Sequence, residues 1–133
     1  MNRMLTLARL KLLVSVLLLT GCQSPFLVLP GGELEGSQRQ TESFAFAGDH
    51  RLMQLEVNPD APYSVILRCV VIDDVLYVDA APARKWGKMI QADPRVRVKL
   101  GDALYPATAT AVTDESITGR FRDGRTIYRL DPL

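Results

Sequence analysis

The chain has 133 residues, 47% of them hydrophobic, with 16 Lys+Arg against 15 Asp+Glu and a formal net charge of +1. This length favours one domain, and the near balance of charge is unlike the strongly basic composition of nucleic-acid-binding proteins. We therefore predict one folded domain that does not bind nucleic acid.

The first segment is typical of a targeting signal rather than of a fold. Residues 1–11 carry three cations and no acid, and the apolar run 12–19 is shorter than the ~20 residues that span a bilayer. A basic start, a short apolar run and small residues before the cut describe a secretory signal peptide. The sequence predicts such a peptide over residues 1–21.

Leu19-Thr20-Gly21-Cys22 resembles the bacterial lipobox. The resemblance implies cleavage before Cys22, acylation of that cysteine by chains such as palmitate, and a lipoprotein held in a membrane by its anchor. Several acyl chains anchor durably, whereas one alone is marginal. By analogy with such lipoproteins, the absence of Asp directly after Cys22 favours the outer membrane, facing the periplasm. The alternative is an ordinary signal peptide with a chance cysteine.

Cleavage changes the charge and the cysteine count. Losing Arg3, Arg9 and Lys11 leaves 13 Lys+Arg against 15 Asp+Glu, a net charge of −2. Cys69 is then the one thiol not committed to lipid, so no intramolecular disulfide is expected in the oxidising envelope. It lies in an apolar run and is predicted to be a small buried hydrophobic residue, with a reactive thiol as the alternative.

Residues 22–42 are predicted to be a lipidated tether. The segment is rich in Pro, Gly, Ser, Gln and Glu and cannot bury a core of its own. It also contains four consecutive apolar residues, Phe26 to Leu29, followed by the turn signal Pro30-Gly31-Gly32. A plain linker remains open, but such an apolar run favours docking on the folded domain.

From residue 43 to the end, the pattern is typical of β structure. Alternating apolar residues predict strands over 43–47 and 53–57, and the nearly continuous apolar run 64–72 predicts a strand buried on both faces. Asp73-Asp74 is predicted to be a hairpin turn, because Asp tolerates positive φ.

One short helix interrupts the strands. Pro82 suits its first turn, Trp86, Met89 and Ile90 form an apolar stripe, and Asp93-Pro94 ends it. Strands are then predicted over 96–100, 103–113, 116–122 and 126–130, with a hairpin turn at 101–102. About six to seven strands and one helix favour a small barrel or sandwich over residues 43–133.

Catalytic side chains are sparse in this pattern. His50 is the one histidine, and it lies in a predicted turn, so neither a catalytic triad nor a zinc site is expected. We predict no catalytic side chain and no metal site.

The strongest local signal for binding is cationic. Residues 84–99 hold six cations against one acid: Arg84, Lys85, Lys88, Arg95, Arg97, Lys99 and Asp93. Cations at the start of a helix are unfavourable unless an anion compensates, so Arg84 and Lys85 are candidate phosphate ligands. Two other interpretations remain open: solvated charges on outer faces, and attraction to anionic lipid headgroups.

Two more residues are candidates for the same site. Arg68 lies within the apolar run, where an unpaired charge would cost several kcal/mol, so it must reach an acid, an edge or a ligand anion. Trp86 is a core residue by its spacing, and stacking on a planar ligand is the alternative.

The order of these elements resembles the split-barrel flavin-binding superfamily. Its members include pyridoxamine phosphate oxidase-like proteins and deazaflavin-dependent nitroreductases. The resemblance rests on the buried hairpin, the helix opened by Arg84-Lys85, the segment 92–96, the turn 101–102 and the strand from Tyr105 to Thr113. Together with residues 29–32, Leu-Pro-Gly-Gly, the core also resembles a group of uncharacterised bacterial lipoproteins.

The resemblance implies a small split β-barrel that binds FMN or a deazaflavin and often forms a homodimer. Basic residues at this helix start and on the preceding strands hold the flavin phosphate in such proteins, which implies roles for Arg84 and Lys85, with Arg68 as a weaker candidate. Trp86 stays a candidate for stacking on the ligand ring. The hydroxyl residues that usually precede the basic pair are Ala81, Pro82 and Ala83 here.

The sequence is therefore compatible with two functions. The first is a lipid-anchored envelope protein that binds a flavin-type or other phosphate-bearing ligand, with flavin- or deazaflavin-dependent oxidoreductase activity as the implied chemistry. The second is a non-catalytic structural or interaction lipoprotein that has lost the ligand.

Overall fold

A curled sheet of eight strands carries the fold in the computed structural model, which describes residues 31–133. The strands are β1 (Ser37–Gln38), β2 (Leu52–Val57), β3 (Tyr63–Arg68), β4 (Val70–Ile72), β5 (Val75–Ala80), β6 (Arg95–Leu100), β7 (Ala103–Ala111) and β8 (Thr126–Pro132). The helices are α1 (Lys85–Ala92), the four-residue α2 (Glu115–Thr118) and a 3₁₀ helix over Ala45–Asp49.

The sheet order explains the barrel. Seven strands follow the path β3-β2-β6-β7-β8-β5-β4, each antiparallel to its neighbours, and β1 lies parallel beside β7. The two edge strands, β3 and β4, are separated in the chain by Cys69 alone. The sheet must therefore curl until its two edges meet at Cys69. The predicted fold, a mainly β split barrel with one short helix, is confirmed.

Cys69 also divides the strand that was predicted to be continuous over 64–72. Its N–H donates to the carbonyl of Arg51 at 3.2 Å, beside β2, whereas Val70 already pairs with Tyr77 of β5. The prediction of burial on both faces is wrong for β3, where the Ile66 side chain is 42% exposed. A run of apolar residues cannot distinguish a central strand from one that changes its partner.

Two other predicted strands are wrong. Residues 45–49 form a 3₁₀ helix, which buries Phe44 and Ala47 in the core. Residues 115–118 form helix α2, whose first turn is capped by the Asp114 carboxylate accepting from the Ser116 N–H at 2.9 Å. In both segments the apolar spacing suits a short helix as well as a strand, and local capping or burial decides between them.

The two predicted hairpin turns are confirmed. Asp73 and Asp74 both have positive φ, 49° and 65°, and join β4 to β5 in register from Ile72 to Val75. Gly101, with φ of 60°, begins the turn between β6 and β7. Positive φ at these sites matches the right-handed twist of the paired strands.

The hydrophobic core fills the inside of the curled sheet. It contains alternate residues of β2, β5, β6, β7 and β8, with Trp86 and Ile90 of α1 closing one side. A second, smaller cluster lies outside β5 and β8, where Ile72, Tyr77 and Ile127 pack under Phe121 and Ile117. The second cluster holds the segment from α2 to residue 125 against the barrel.

The N-terminal part of the described chain is bound to the barrel. Leu34 is 8% exposed, and its N–H donates to Glu56 Oε2 at 2.6 Å. Arg97 donates Nε and Nη2 to the two Glu56 oxygens, both at 2.7 Å, and Nη2 also donates to the Leu34 carbonyl at 3.2 Å. Residues 31–38 of the predicted tether therefore dock.

Within residues 31–133, no helix is both long and apolar enough to cross a membrane. The predicted signal peptide over 1–21, the lipidation site Cys22 and the apolar run Phe26 to Leu29 lie outside the described residues.

Candidate functional site

An open cleft of about 1210 Å³ lies between the edge strand β3 and the start of helix α1. Most of the residues around it come from four places: β3, the end of β5, the start of α1 with the residues just before it, and the loop after α2. They include Tyr63, Ser64, Val65, Ile66, Leu67, Arg68, Asp79, Ala83, Arg84, Lys85, Trp86, Phe121, Arg122 and Arg125. Gly31, Gln54 and Val70 complete the lining. The cleft is large enough for a cofactor-sized ligand, since such sites typically measure about 300–1,000 Å³.

Helix α1 is held firmly against the barrel at this cleft. A Cβ built on Gly87 would lie 2.9 Å from the Ala80 Cβ, so the helix approaches β5 closely only because residue 87 lacks a side chain. The Tyr128 hydroxyl donates to the Gly87 carbonyl at 3.2 Å, which ties the helix to β8 as well. The position of the helix start is therefore fixed by buried contacts.

The start of α1 has no capping side chain. Its N-cap residue, Arg84, has φ −76° and ψ 124°, makes no side-chain cap hydrogen bond, and no acid lies in the first turn. Serine, threonine, aspartate or asparagine usually occupies this place and accepts from the free N–H groups. An Arg84-Lys85 start instead adds positive charge to the positive end of the helix dipole, an arrangement that an anion would stabilise.

Five cations surround the cleft, against one acid. Arg68, Arg84, Lys85, Arg122 and Arg125 line it together with Asp79. Asp79 lies 3.6 Å from Arg125 Nη1. Among residues 31–133, no acid lies within ion-pair distance of the other four cations. The cleft therefore carries a concentrated positive charge in a chain that is nearly neutral overall.

Lys85 makes a specific contact across the cleft. Its Nζ lies 5.2 Å from the centroid of the Tyr63 ring, a cation–π distance. Tyr63 is the first residue of β3, so the contact joins the start of the helix to the edge strand. Lys85 is thereby held on the cleft side of α1 with its charge exposed.

The structure divides the predicted cation run 84–99. Arg84 and Lys85 line the cleft, whereas Lys88 and the three cations of β6 do not. Arg95 pairs with Asp93 through Nη2 and Oδ2 at 2.6 Å, which lowers the pKa of the Asp93 carboxyl. Arg97 pairs with the buried Glu56, whose hydrogen bonds raise the pKa of the guanidinium. These two arginines stabilise the fold.

Arg68 is not buried, contrary to the premise of its prediction. It is the last residue of β3, and the edge position leaves its side chain exposed on the rim of the cleft. The three predicted cations Arg68, Arg84 and Lys85 therefore line the same cleft, although they come from different elements.

Trp86 belongs to the hydrophobic core, as its spacing indicates. Its side chain is 4% exposed, so it offers the cleft a small part of its surface. Tyr63 and Phe121 are half-buried aromatic residues on the same cleft and leave more of their rings accessible.

Arg122 and Arg125 were not predicted. Both lie in the loop that the second apolar cluster holds against the barrel through Phe121. A signal existed in the sequence, because Arg120, Arg122 and Arg125 fall within six residues beside Gly124. Nothing in the sequence indicates that these residues line the same cleft as Arg84, because they are about 40 residues away in the chain.

Other candidate chemistry is weak in the described part of the chain. No three His, Cys, Asp or Glu side chains of residues 31–133 come together in a group that could hold a metal ion. Cys69 is half-buried, and this burial raises the pKa of its thiol, which favours the unreactive protonated form.

Solved structures of other proteins resemble this chain, whereas the sequence comparisons found no match. No protein-family model matches the chain, and the search of curated proteins gave no match. A pyridoxamine 5'-phosphate oxidase-like protein from Listeria innocua is 17% identical, with a TM-score of 0.57, covering 66% of this chain and 88% of that one.

Two further solved structures share the fold. A FAD-binding protein from Mesorhizobium loti is 19% identical with a TM-score of 0.50, covering 65% of this chain and 84% of the other. The heme storage protein HutZ from Vibrio cholerae is 14% identical with a TM-score of 0.52, covering 66% and 85%. Such identities show the fold and not the ligand. Residues 31–133 have the split-barrel fold of the pyridoxamine 5'-phosphate oxidase-like and FAD-binding proteins.

Proposed function

We propose that this protein is a lipid-anchored envelope protein whose cleft binds a phosphate-bearing ligand of the flavin type. The observation that carries the proposal is the group of four cations, Arg68, Arg84, Lys85 and Arg122, that line one cleft without an acid partner among residues 31–133. Like charges gathered in this way repel each other, and a bound dianion would remove that cost.

The site also suits the other parts of such a ligand. Free N–H groups at the start of α1 supply directed donors for phosphate oxygens, which Arg84 and Lys85 would reinforce. The exposed Ile66 and the half-buried Tyr63 and Phe121 offer apolar surface for a planar ring. A flavin, when bound, supplies hydride or electron transfer, and the residues of this chain would bind and orient it.

Direct titration tests the ligand. FMN and riboflavin are added separately to the protein beginning at Ser24, and quenching of flavin fluorescence is followed. Micromolar affinity for FMN with much weaker binding of riboflavin is expected, since riboflavin lacks the phosphate. Equal affinity for the two would contradict the role of the phosphate. Binding of neither would leave the non-catalytic structural or interaction lipoprotein.

A matched pair of variants tests the site. Arg84→Ala/Lys85→Ala should weaken FMN binding by about 100-fold, the equivalent of two charge-assisted hydrogen bonds at about 1.5 kcal/mol each. Lys88→Ala/Lys99→Ala is the control, because it removes the same number of charges and neither lysine lines the cleft. An equal loss in both variants would show a general charge effect rather than a site.

The anchor has a separate test. Metabolic labelling with radioactive palmitate should label the full chain and not the Cys22→Ala variant, with the wild-type protein recovered in the outer-membrane fraction. Labelling that persists in Cys22→Ala would contradict the lipobox assignment.

A further inference from the structure

The edge strand β3 has backbone groups with no partner among residues 31–133. In an antiparallel pair, successive residues point their N–H and C=O groups alternately toward and away from the neighbouring strand. Ser64 points away from β2, because its N–H and C=O both bond Gly31, at 2.8 and 2.9 Å. Ile66 and Arg68 have the same parity and so present their backbone groups at the open edge.

The same edge carries an exposed apolar side chain. Ile66 is 42% exposed, although it lies in the middle of a six-residue strand. An edge with free backbone groups and an apolar side chain is a template for one more strand. Natural sheets usually cover or charge such an edge, and here the nearest charge is Arg68 at its far end.

Gly31 makes one backbone pair with this edge, and that pair defines the register that a continued ladder would have. Gly31 bridges Ser64 in the antiparallel sense. Residues before Gly31 that continued this ladder would run back along β3, with Leu29 opposite Ile66 and Leu27 opposite Arg68. We propose that residues Phe26 to Leu29 of this same chain occupy the open edge of β3 as a ninth strand.

The sequence of that segment fits the edge at each place. Directly opposed residues share a face of the sheet, so Leu29 would cover the exposed Ile66. Four residues at about 3.3 Å each reach the end of β3. The bridge at Gly31 would place this apolar segment along β3, beside the exposed side chain of Ile66.

Pro30 fits this pairing by its parity. It would lie opposite Val65, at a place where the backbone of the added strand points outward, away from β3. A proline is tolerated there because no ladder hydrogen bond needs its missing N–H, and edge strands are where proline occurs in sheets. Pro30 would also prevent yet another strand from adding outside it. The close approach at Gly31 agrees, since a Cβ there would lie 2.6 Å from the Ser64 Oγ.

The edge that is proposed to take this segment borders the cleft, because Ser64, Ile66 and Arg68 line it. This inference goes beyond the proposed function and does not depend on any ligand.

Disulfide formation tests the register. The full-length protein with Cys69→Ala is isolated from the envelope carrying Leu29→Cys and Ile66→Cys. A hydrogen-bonded antiparallel pair has Cα atoms about 5.5 Å apart, within the range of a disulfide. Most of the protein should form this bond within one chain, detected by the mass of the linked peptides after digestion without reduction. Leu27→Cys with Ile66→Cys is the out-of-register control and should stay largely reduced.

Two outcomes would overturn the inference. One is equal cross-linking of both pairs, which would mean a segment without register. The other is a disulfide between two chains in the Ile66→Cys variant, which would assign the edge of β3 to a second copy.

A proline comparison gives an independent measurement by amide hydrogen exchange. In the proposed strand, the backbone of Val28 would point outward like that of Pro30, and the backbone of Leu29 would point toward β3. Val28→Pro should leave the Ile66 N–H protected, whereas Leu29→Pro removes a donor to the Ile66 carbonyl and should raise the exchange rate about tenfold. An unprotected Ile66 N–H in the unmodified protein, or the same rate in both variants, would contradict the added strand.

Discussion

Arg95 and Arg97 of strand β6 differ from Arg84 and Lys85 of the cleft in whether an acid neutralises them. Arg97 forms a bidentate ion pair with Glu56, whose side chain is 4% exposed. Arg95 pairs with Asp93, two residues before it in the chain. Arg84 and Lys85, ten residues earlier, have no acid partner among residues 31–133. The paired group holds the fold together, and the other is available to a ligand.

Unpaired cations are the groups of this small barrel that are free to bind an anion. A paired cation has its hydrogen-bond donors filled, and an anionic ligand would have to displace a buried carboxylate. A cation at the start of a helix keeps its donors free and slightly weakens the native state. The two groups should therefore respond in opposite directions to substitution, in stability and in anion affinity.

The largest expected effect is the loss of Glu56. Glu56→Gln keeps the shape but removes the charge that Arg97 and the Leu34 N–H both contact. Breaking a buried pair costs about 3–5 kcal/mol, and we expect about 3 kcal/mol, because the Arg97 side chain keeps 25% of its surface exposed. Urea denaturation measures it, with the exposed Glu35→Gln as a control that changes stability by less than about 0.5 kcal/mol. A similarly small change in stability for Glu56→Gln would contradict the stabilising role of the Glu56–Arg97 pair.

A subtler change tests geometry rather than charge. Arg97→Lys keeps the cation but cannot supply the fork that reaches both Glu56 oxygens and the Leu34 carbonyl. We expect a loss of about 1–2 kcal/mol, one or two hydrogen bonds, in urea denaturation. Arg84→Lys in the cleft, where no such fork exists, should leave stability unchanged. Equal losses would mean that Arg84 has a structural partner after all.

The cleft should gain stability when it loses a cation. Arg84 occupies the N-cap of α1 with extended backbone angles, and an Asp there could accept from the N–H groups of the first turn. Arg84→Asp should therefore raise the free energy of unfolding by about 1 kcal/mol while it weakens FMN binding. Thermal denaturation and flavin titration on the same sample measure both. A variant that is destabilised would show that the positive charge of Arg84 does not disfavour the helix start.

Much of the fold was predictable because it depends on local chemistry. The turn at Asp73-Asp74 and the helix carrying Trp86 and Ile90 each have a signal within a few residues. The division at Cys69 has none, because it arises from the sheet closing on itself. Likewise, Glu56 and Arg97 are 41 residues apart, and no pattern near either residue indicates that the two form a buried pair.

The site was predictable only in part for the same reason. Arg84 and Lys85 stand out because a helix start disfavours cations, which is a local argument. Arg122 and Arg125 join them through the packing of Phe121 on a cluster outside the barrel, which no pattern near residue 84 indicates. The prediction for Arg68 assumed that its side chain is buried, and the structure shows it exposed. Arg68 lines the cleft because β3 is an edge strand.

The smallest expected effect concerns the exposed pair of Asp93 and Arg95 and depends on pH. Hydrogen bonds from Arg95 lower the pKa of the Asp93 carboxyl, so the folded state favours the ionised form more than the unfolded chain does. The stability that this adds is present above the unfolded pKa of about 3.9 and is lost as the pH falls through the folded value. Asp93→Asn should therefore lower the melting temperature slightly at pH 6, and the difference should shrink as the pH falls below about 4. A difference that stays constant down to pH 2 would show that the effect does not come from the charge of the Asp93 carboxylate, because Asn can still accept from the Arg95 N–H.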